Sequence, residues 1–93
     1  MHIALLRAII DIPDAHNLKD KRAVVRSIKD RVTKHMNVSV AEVGQHDVWN
    51  RAELAFVTVA AEKEVVEKRV SAVNTLLEEG RDWVLLEVKV EPL

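Results

Sequence analysis

Residues 38–61 read VSVAEVGQHDVWNRAELAFVTVAA, two β-rich segments separated by a polar loop. In the second segment, residues 52–61, Leu54, Phe56 and Thr58 fall on one face of an extended chain, and the residues between them fall on the other. The first segment, residues 38–43, has the β-branched content of a strand. These features predict an antiparallel hairpin whose loop is longer than the two-residue minimum.

A helical pattern flanks this hairpin on each side. Residues 18–35 place their apolar side chains within an arc of about 120°, and Asn17 precedes them as an N-cap candidate with Asp20 three residues on. Residues 62–79 also repeat with a helical period, and Gly80 follows as a candidate C′ residue. Each apolar arc is suited to packing on one face of a sheet.

Two further strands are predicted at the ends of the sequence. Residues 2–12 are dense in Ile, Leu and Ala, and residues 83–90 alternate as in a strand buried on one face. The face expected to be buried carries Val84, Leu86, Val88 and Val90. The resulting β-α-β-β-α-β order predicts an α+β fold of the ferredoxin-like class, a four-stranded antiparallel sheet with two helices on one face. At this length, residues 1–93 are expected to form a single domain.

The second face of this sheet has no helix to cover it. The first strand should be central, so that Ile3, Leu5 and Ile9 lie on the open face beside Phe56 or Val57. An uncovered apolar patch on a small protein is typical of an association surface. We therefore expect a homodimer or higher homo-oligomer that forms through the open sheet face.

Composition excludes several classes of protein. Of the 93 residues, 48% are apolar and 31% are charged, which fits a folded globular chain rather than a disordered one. There is no cysteine, so disulfides, thiolate metal sites and iron–sulfur clusters are excluded. With two glycines, the chain has no glycine-rich nucleotide loop, and we expect no cofactor. No apolar run approaches the roughly 20 residues of a membrane span, and no basic leader is visible, so we expect a cytoplasmic protein without membrane contact.

Charge is unevenly distributed along the chain. Residues 19–34 hold seven Lys and Arg against two Asp, so this segment carries +5 while the rest carries −6. On a helical wheel Lys19, Arg22, Arg26 and Lys29 fall within about 80° of each other. Such a basic stripe on an exposed helix face can bind phosphates. The alternative interpretation is a solvated helix face that keeps the protein soluble.

Three other residues are candidates for binding. Lys21 lies within the apolar arc, from which it can either extend past the sheet edge toward an anion at the helix N-terminus or snorkel to water. Trp49 and Arg51, in the predicted loop, can stack on a base or another flat ligand. The structural alternative is that Trp49 caps one end of the core or anchors a subunit contact.

Catalytic chemistry has little support in the sequence. The four histidines show no metal-ligand spacing, and no serine lies in a nucleophile-elbow motif. We therefore expect no catalytic residue and no metal site, and consider an enzyme less consistent with the sequence than a binding protein. A weaker hypothesis is an enzyme that uses Glu42, His46 or Asp47.

The sequence resembles a known family in three stretches, namely residues 17–28, 36–43 and 47–54. The most specific parts are Leu-Lys-x-Lys-Arg at 18–22 and Asn-Val-Ser-Val-Ala-Glu at 37–42. Together they are similar to the YlxP-like family of small bacterial proteins of unknown function. Asn17 stands where that family more often has Ser, and Met36 where it often has Phe; both changes keep the capping or apolar role.

The resemblance implies a ferredoxin-like fold and no established catalytic residues. It also implies a gene setting among transcription elongation, translation initiation and ribosome maturation, which suggests a link to RNA or the ribosome. Our leading prediction is a non-enzymatic protein that associates with ribosomal RNA or the ribosome. The candidate nucleic-acid or anion-binding residues are Lys19, Lys21, Arg22, Arg26, Lys29, Trp49 and Arg51. The alternative is an oligomeric regulatory module that binds a small anionic ligand where Lys21, Arg22 and the helix N-terminus meet the loop.

Overall fold

The computed structural model describes all residues, 1–93, as four strands and two helices. In chain order these are β1 (His2–Asp11), α1 (Leu18–His35), β2 (Ser39–Gly44), β3 (Arg51–Ala60), α2 (Lys63–Glu78) and β4 (Val84–Pro92). Every predicted element is present, and each boundary lies within two residues of the expected position. Neither helix combines the length and apolarity that crossing a bilayer would require.

The four strands form one antiparallel sheet in the order β2-β3-β1-β4. β1 is central and pairs with β3 over its full length, from His2 opposite Ala60 to Asp11 opposite Arg51. Both helices pack on the same face, because each crossover returns the chain to that side of the sheet. The predicted ferredoxin-like α+β sandwich is confirmed.

The hydrophobic core lies between this face and the helices. Alternate side chains of the two central strands point into it, as the period of two requires. The buried residues are Ala4, Leu6, Ala8 and Ile10 of β1 and Ala52, Leu54, Phe56 and Thr58 of β3. Ile28 and Val32 of α1 and Val73 and Leu77 of α2 meet them. Full burial of a side chain of the size of Leu or Ile stabilises the fold by about 1.5–3 kcal/mol.

The start of α1 is determined locally. The Asn17 side chain accepts a hydrogen bond from the backbone N–H of Asp20 at 2.8 Å. The Asp20 carboxylate in turn accepts one from the backbone N–H of His16 at 3.0 Å. This reciprocal pair resembles a capping box and places an acidic group in the first turn, where the helix dipole favours it. The predicted N-cap is confirmed.

β4 differs from its prediction because of a β-bulge and because it lies at the edge of the sheet. Ile9 of β1 lies opposite Glu87, but the next residue, Ile10, lies opposite Leu85, so that Leu86 has no partner. This extra residue brings Leu85, rather than Val84, onto the face of the helices. The side chains expected to be buried are 37–51% exposed, and they are Val84, Leu86, Val88 and Val90. The bulge explains the exposure of Val84 and Leu86. Val88 and Val90 lie opposite the buried Ala8 and Leu6, on the face of the helices, and are exposed because β4 is an edge strand. The predicted burial of one face of this strand is therefore wrong.

The open face of the sheet is more mixed than the sequence pattern indicated. Leu5 lies opposite Val57 there, whereas Phe56 lies opposite Leu6 on the face of the helices. Ile3, Leu5 and Ile9 are partly covered by their neighbours. Arg7, which is exposed, interrupts the apolar row of β1. The open face is thus an apolar patch divided by charge.

Candidate nucleic-acid interface

Helix α1 presents the predicted basic stripe to solvent. Lys19, Arg22 and Arg26 are exposed, and Lys29 is half-buried at the edge of the stripe. None of the four takes part in any of the three ion pairs of the molecule. Ten residues of helix separate Lys19 from Lys29, which corresponds to about 15 Å. One nucleic-acid strand carries a phosphate about every 3.4 Å along a duplex axis, so the stripe spans about four phosphates.

Lys21 lies on a different side of the helix from these four residues, as its position in the apolar arc predicts. Its side chain is 2% exposed. The ammonium group donates hydrogen bonds to the backbone oxygens of Gln45 at 2.5 Å and Val48 at 2.8 Å. It also contacts Glu42 Oε2 at 2.8 Å. All three of its N–H groups are therefore used within the protein.

This arrangement changes the role assigned to Lys21. The sequence placed it among the anion-binding candidates, but its charge is compensated by Glu42 and its head group is enclosed. The same carboxylate oxygen of Glu42 is buried and has no other partner, so the ion pair satisfies both groups. Lys21 joins α1 to β2 and to the 45–50 loop instead of facing an external ligand.

The loop between β2 and β3 extends over residues 45–50. Gln45 has a left-handed backbone, φ 62°, which turns the chain away from β2. The Asn50 backbone oxygen accepts a hydrogen bond from the Ile12 N–H at 2.8 Å, which ties the far end of the loop to the end of β1. Trp49 between these points is 52% exposed. Arg51, the first residue of β3, is also exposed.

Trp49 does not cap the core. That role belongs to Trp83, which is buried and whose indole N–H donates to the Leu77 backbone oxygen at 2.9 Å. Arg31 of α1 lies over the Trp83 ring, with Cζ 5.9 Å from the ring centre, within cation–π range. Trp49 therefore keeps a half-exposed ring face, which is the form in which tryptophan stacks on a flat partner.

The candidate residues fall into two groups that share one end of the molecule. Because Lys21 bonds to the loop, the first turns of α1 lie next to residues 45–48. Lys19 and Arg22, which flank Lys21 along the chain, therefore belong to the same end as the loop. Arg26 and Lys29 lie one to two turns further along α1. The stripe thus begins beside the loop and leads away from it.

Of the three residues in the weaker enzyme hypothesis, Glu42 and His46 have contacts within the protein and Asp47 has none. Glu42 is paired with Lys21, and the Nε2 of His46 lies 3.2 Å from the Glu42 backbone oxygen. Asp47 is exposed. No three His, Asp or Glu side chains converge in a cluster that could hold a metal ion. Glu42 and His46 therefore make contacts around the loop, and Asp47 lies exposed beside them.

Arg69, on the apolar side of α2, is partly buried and forms no ion pair with a carboxylate. Its Nη1 instead donates to Thr58 Oγ1 and to the Val59 backbone oxygen, both at 3.0 Å. The Thr58 hydroxyl in turn donates a hydrogen bond to the Asn37 backbone oxygen at 2.9 Å. This chain of hydrogen bonds joins α2, β3 and the α1–β2 connection, and it has no part in the interface.

Comparison with known proteins identifies relatives of unknown function. A family model described as "Protein of unknown function (DUF503)" matches residues 3–90. The uncharacterized protein YlxP of Bacillus subtilis (strain 168) is 36% identical over 67 residues, which cover 72% of this chain and 73% of that protein.

Comparison of structures gives the fold alone. The de novo designed protein Foldit4 superimposes with a TM-score of 0.58 at 14% identity, over 100% of this chain and 97% of that one. A second designed protein, LFR1 1 with ferredoxin fold, gives a TM-score of 0.56 at 15% identity, over 100% and 84% of the two chains. Both likenesses support the fold described above.

Proposed function

This chain belongs to the DUF503 family of proteins of unknown function, and we propose that it is a non-enzymatic RNA-binding protein that associates with the ribosome. The observation that carries the proposal is the stripe on α1, where Lys19, Arg22, Arg26 and Lys29 carry no internal counter-charge. Such a row binds phosphates without reading sequence. Trp49 and Arg51 add a stacking surface beside it.

The distribution of charge supports this use of the stripe. The whole chain has a net charge of −1, so it has no general affinity for polyanions. Positive charge is concentrated on α1, and this favours an orientation with the helical layer toward the nucleic acid. The gene setting that the family resemblance implies makes ribosomal RNA the target to test.

The geometry gives less support to a small anionic ligand held where Lys21, Arg22 and the helix N-terminus meet the loop. Lys21 is enclosed and paired. The first turn also contains the Asp20 carboxylate, which accepts the His16 N–H and repels an incoming anion. Of the three groups that this alternative requires, Arg22 is the one that faces solvent with its charge uncompensated.

The first experiment tests association with ribosomal particles. A low-salt lysate containing the wild type or the Lys19→Glu, Arg22→Glu, Arg26→Glu variant is sedimented through a sucrose gradient. We expect the wild type to migrate with a ribosomal particle and the variant to remain at the top, because three of the four phosphate contacts become repulsive.

A matched variant controls for the change in net charge. Lys63→Glu, Lys68→Glu, Arg81→Glu changes three exposed cations outside α1 and gives the same net charge of −7. It should sediment like the wild type. If both variants dissociate equally, binding follows net charge and the stripe is not the site; if the wild type itself stays at the top, stable ribosome association is excluded.

Salt dependence provides a second measure of the same interface. Four phosphate contacts give a slope of about −3 in a plot of log affinity against log salt concentration, so affinity should fall by about 60-fold between 50 and 200 mM salt. The triple variant should bind purified ribosomal RNA with a much smaller slope. A wild-type slope near zero would contradict phosphate binding by the stripe.

A further inference from the structure

The edge strand β4 leaves apolar side chains uncovered. It lies at one end of the sheet order, so one side of its backbone has no partner strand. Val88 and Val90 are 37% and 50% exposed. Both line an open groove of about 570 Å³ between β4 and α2, whose other apolar walls include Val66 and Val70. An edge that exposes such a row invites pairing with another strand.

The hydrogen-bonding direction of β4 follows from its last contact with β1. The Leu93 N–H donates to the Ile3 backbone oxygen at 2.9 Å. Antiparallel pairing alternates inward and outward groups, so the backbone groups of Val88 and Val90 point away from β1, toward the free edge. Pro92 falls on the same parity, where its missing N–H costs no bond to β1.

The sequence of β4 is complementary to itself in one register. If two copies of the strand pair antiparallel about Val88, Val90 of one lies opposite Leu86 of the other, and regular pairing ends at the bulge at Leu86. In this register Glu87 lies opposite the partner's Lys89, and Lys89 opposite the partner's Glu87. A pair of opposite charges therefore forms twice, on the open face of the sheet.

Other symmetric registers are less favourable. Centring the pair on Glu87 or on Lys89 places like charges directly opposite each other. Centring it on Val90 places Lys89 opposite the partner's Glu91, but it also places Pro92 opposite Val88, where an outward N–H is needed. The register about Val88 combines complementary charge with outward N–H groups at both Val88 and Val90.

We propose that this chain forms a two-fold symmetric dimer in which β4 pairs with β4 of a second copy. The two sheets then join into one of eight strands. Directly opposite residues of antiparallel strands share a face, so both helical layers lie on the same side of this sheet. The two α2–β4 grooves meet at the symmetry axis and cover each other's Val88 and Val90.

The β4 edge is a better candidate for this contact than the open sheet face predicted from the sequence. On the open face, Arg7 lies between Leu5 and Ile9 and interrupts the apolar surface. A second copy placed there would have to desolvate that charge, which is costly without a matched partner. At the β4 edge, the charges are matched by symmetry.

Charge reversal and exchange test the proposal. Analytical ultracentrifugation of the wild type should give a mass twice that of the 10.5 kDa chain. Lys89→Glu places two Glu pairs across the axis and should weaken the dimer by about 10-fold or more, and Glu87→Lys should act alike. The double variant Glu87→Lys, Lys89→Glu restores opposite charges and should recover the wild-type dissociation constant.

Two further variants show whether the dimer contact lies at the β4 edge or on the open sheet face. Val88→Lys puts two ammonium groups at the axis and should give a folded monomer, as judged by circular dichroism. Val57→Lys alters the open face and should leave the dimer intact. A monomeric wild type overturns the proposal, and so does a dimer that tolerates the β4 changes but is lost with Val57→Lys, which would assign the contact to the open face.

Discussion

Lys21 shows how a single residue can be recognised as unusual before its role is known. Its position in the apolar arc of α1 indicates burial, and the buried side chain agrees with this. The sequence could not identify its partners, because Gln45 and Val48 lie 24 and 27 residues away. Neither accepts through a side chain, so no residue type marks them. Only the fold brings the two backbone oxygens and Glu42 around the ammonium group.

Removing the Lys21 ammonium should destabilise the protein strongly. In Lys21→Met the apolar stem is preserved, but Glu42 loses its counter-charge and two loop oxygens lose their donor. Breaking a buried pair costs about 3–5 kcal/mol, and the 18% exposure of the Glu42 side chain reduces this to about 2–4 kcal/mol. Urea denaturation monitored by circular dichroism measures the difference in unfolding free energy.

Two variants show whether the ion pair is the cause. Lys19→Met makes the same chemical change at an exposed site of α1 and should alter the unfolding free energy by less than about 0.5 kcal/mol. Lys21→Met with Glu42→Leu removes both charges and should regain part of the loss. Equal destabilisation by Lys19→Met and Lys21→Met would mean that the buried contacts carry no special weight.

Gln45 has a backbone conformation that suits glycine better. Its φ of 62° lies in the left-handed region, which costs a residue with a Cβ atom about 1–2 kcal/mol. Glycine avoids this cost but loses more conformational entropy on folding. Gln45→Gly should therefore raise the unfolding free energy by about 0.5–1 kcal/mol, whereas Gln45→Ala should leave it nearly unchanged. Thermal unfolding compares the stability of the two variants. Equal melting temperatures would contradict the predicted gain for Gln45→Gly.

At the scale of elements, the sequence predicts helices better than edge strands. The bounds of α1 were predicted because Asn17 and Asp20 form their capping bonds within a few residues. The register of β4 was not, because a bulge depends on pairing with β1, about 75 residues away. Alternation in the sequence of a strand reports which residues share a face only while the strand stays regular.

The junction of α2 and β4 depends on Gly80. A Cβ atom at this position would lie 1.9 Å from Cε2 of the Trp83 indole, so a larger residue must displace the ring. That ring is fixed by its hydrogen bond to Leu77. Gly80→Ala should lower the unfolding free energy by about 1–3 kcal/mol, as is typical of an overpacked core. Denaturant unfolding measures it, with a blue or red shift of tryptophan emission reporting movement of Trp83.

The observed shift must be assigned to one of two indoles. In a Trp49→Phe background, Trp83 is the sole tryptophan, and Gly80→Ala should still change its emission. An Ala variant that is as stable as the parent and has the same emission would show that the helix end can move to make room.

For the whole molecule, the sequence predicted the location of the charge and the architecture, but not which charges remain free. Seven Lys and Arg lie in residues 19–34, and a linear count treats them alike. The fold divides them: Lys21 is paired with Glu42, Arg31 lies over Trp83, and the stripe faces solvent. Counting charge gives the sign of a surface, whereas packing decides which cations a partner can reach.

The enclosure of Lys21 also makes it a chemical reporter. The chain has seven lysines, of which Lys21 alone is fully buried. An amine-specific acylating reagent will modify the other six directly, but it reaches Lys21 only when residues 45–48 detach from α1. The rate of that slow modification, followed by mass spectrometry, therefore measures how often the loop opens. RNA bound across the loop and the stripe would slow this modification. The half-life of unmodified Lys21 would then report the fraction of protein bound to RNA, without a label on either molecule.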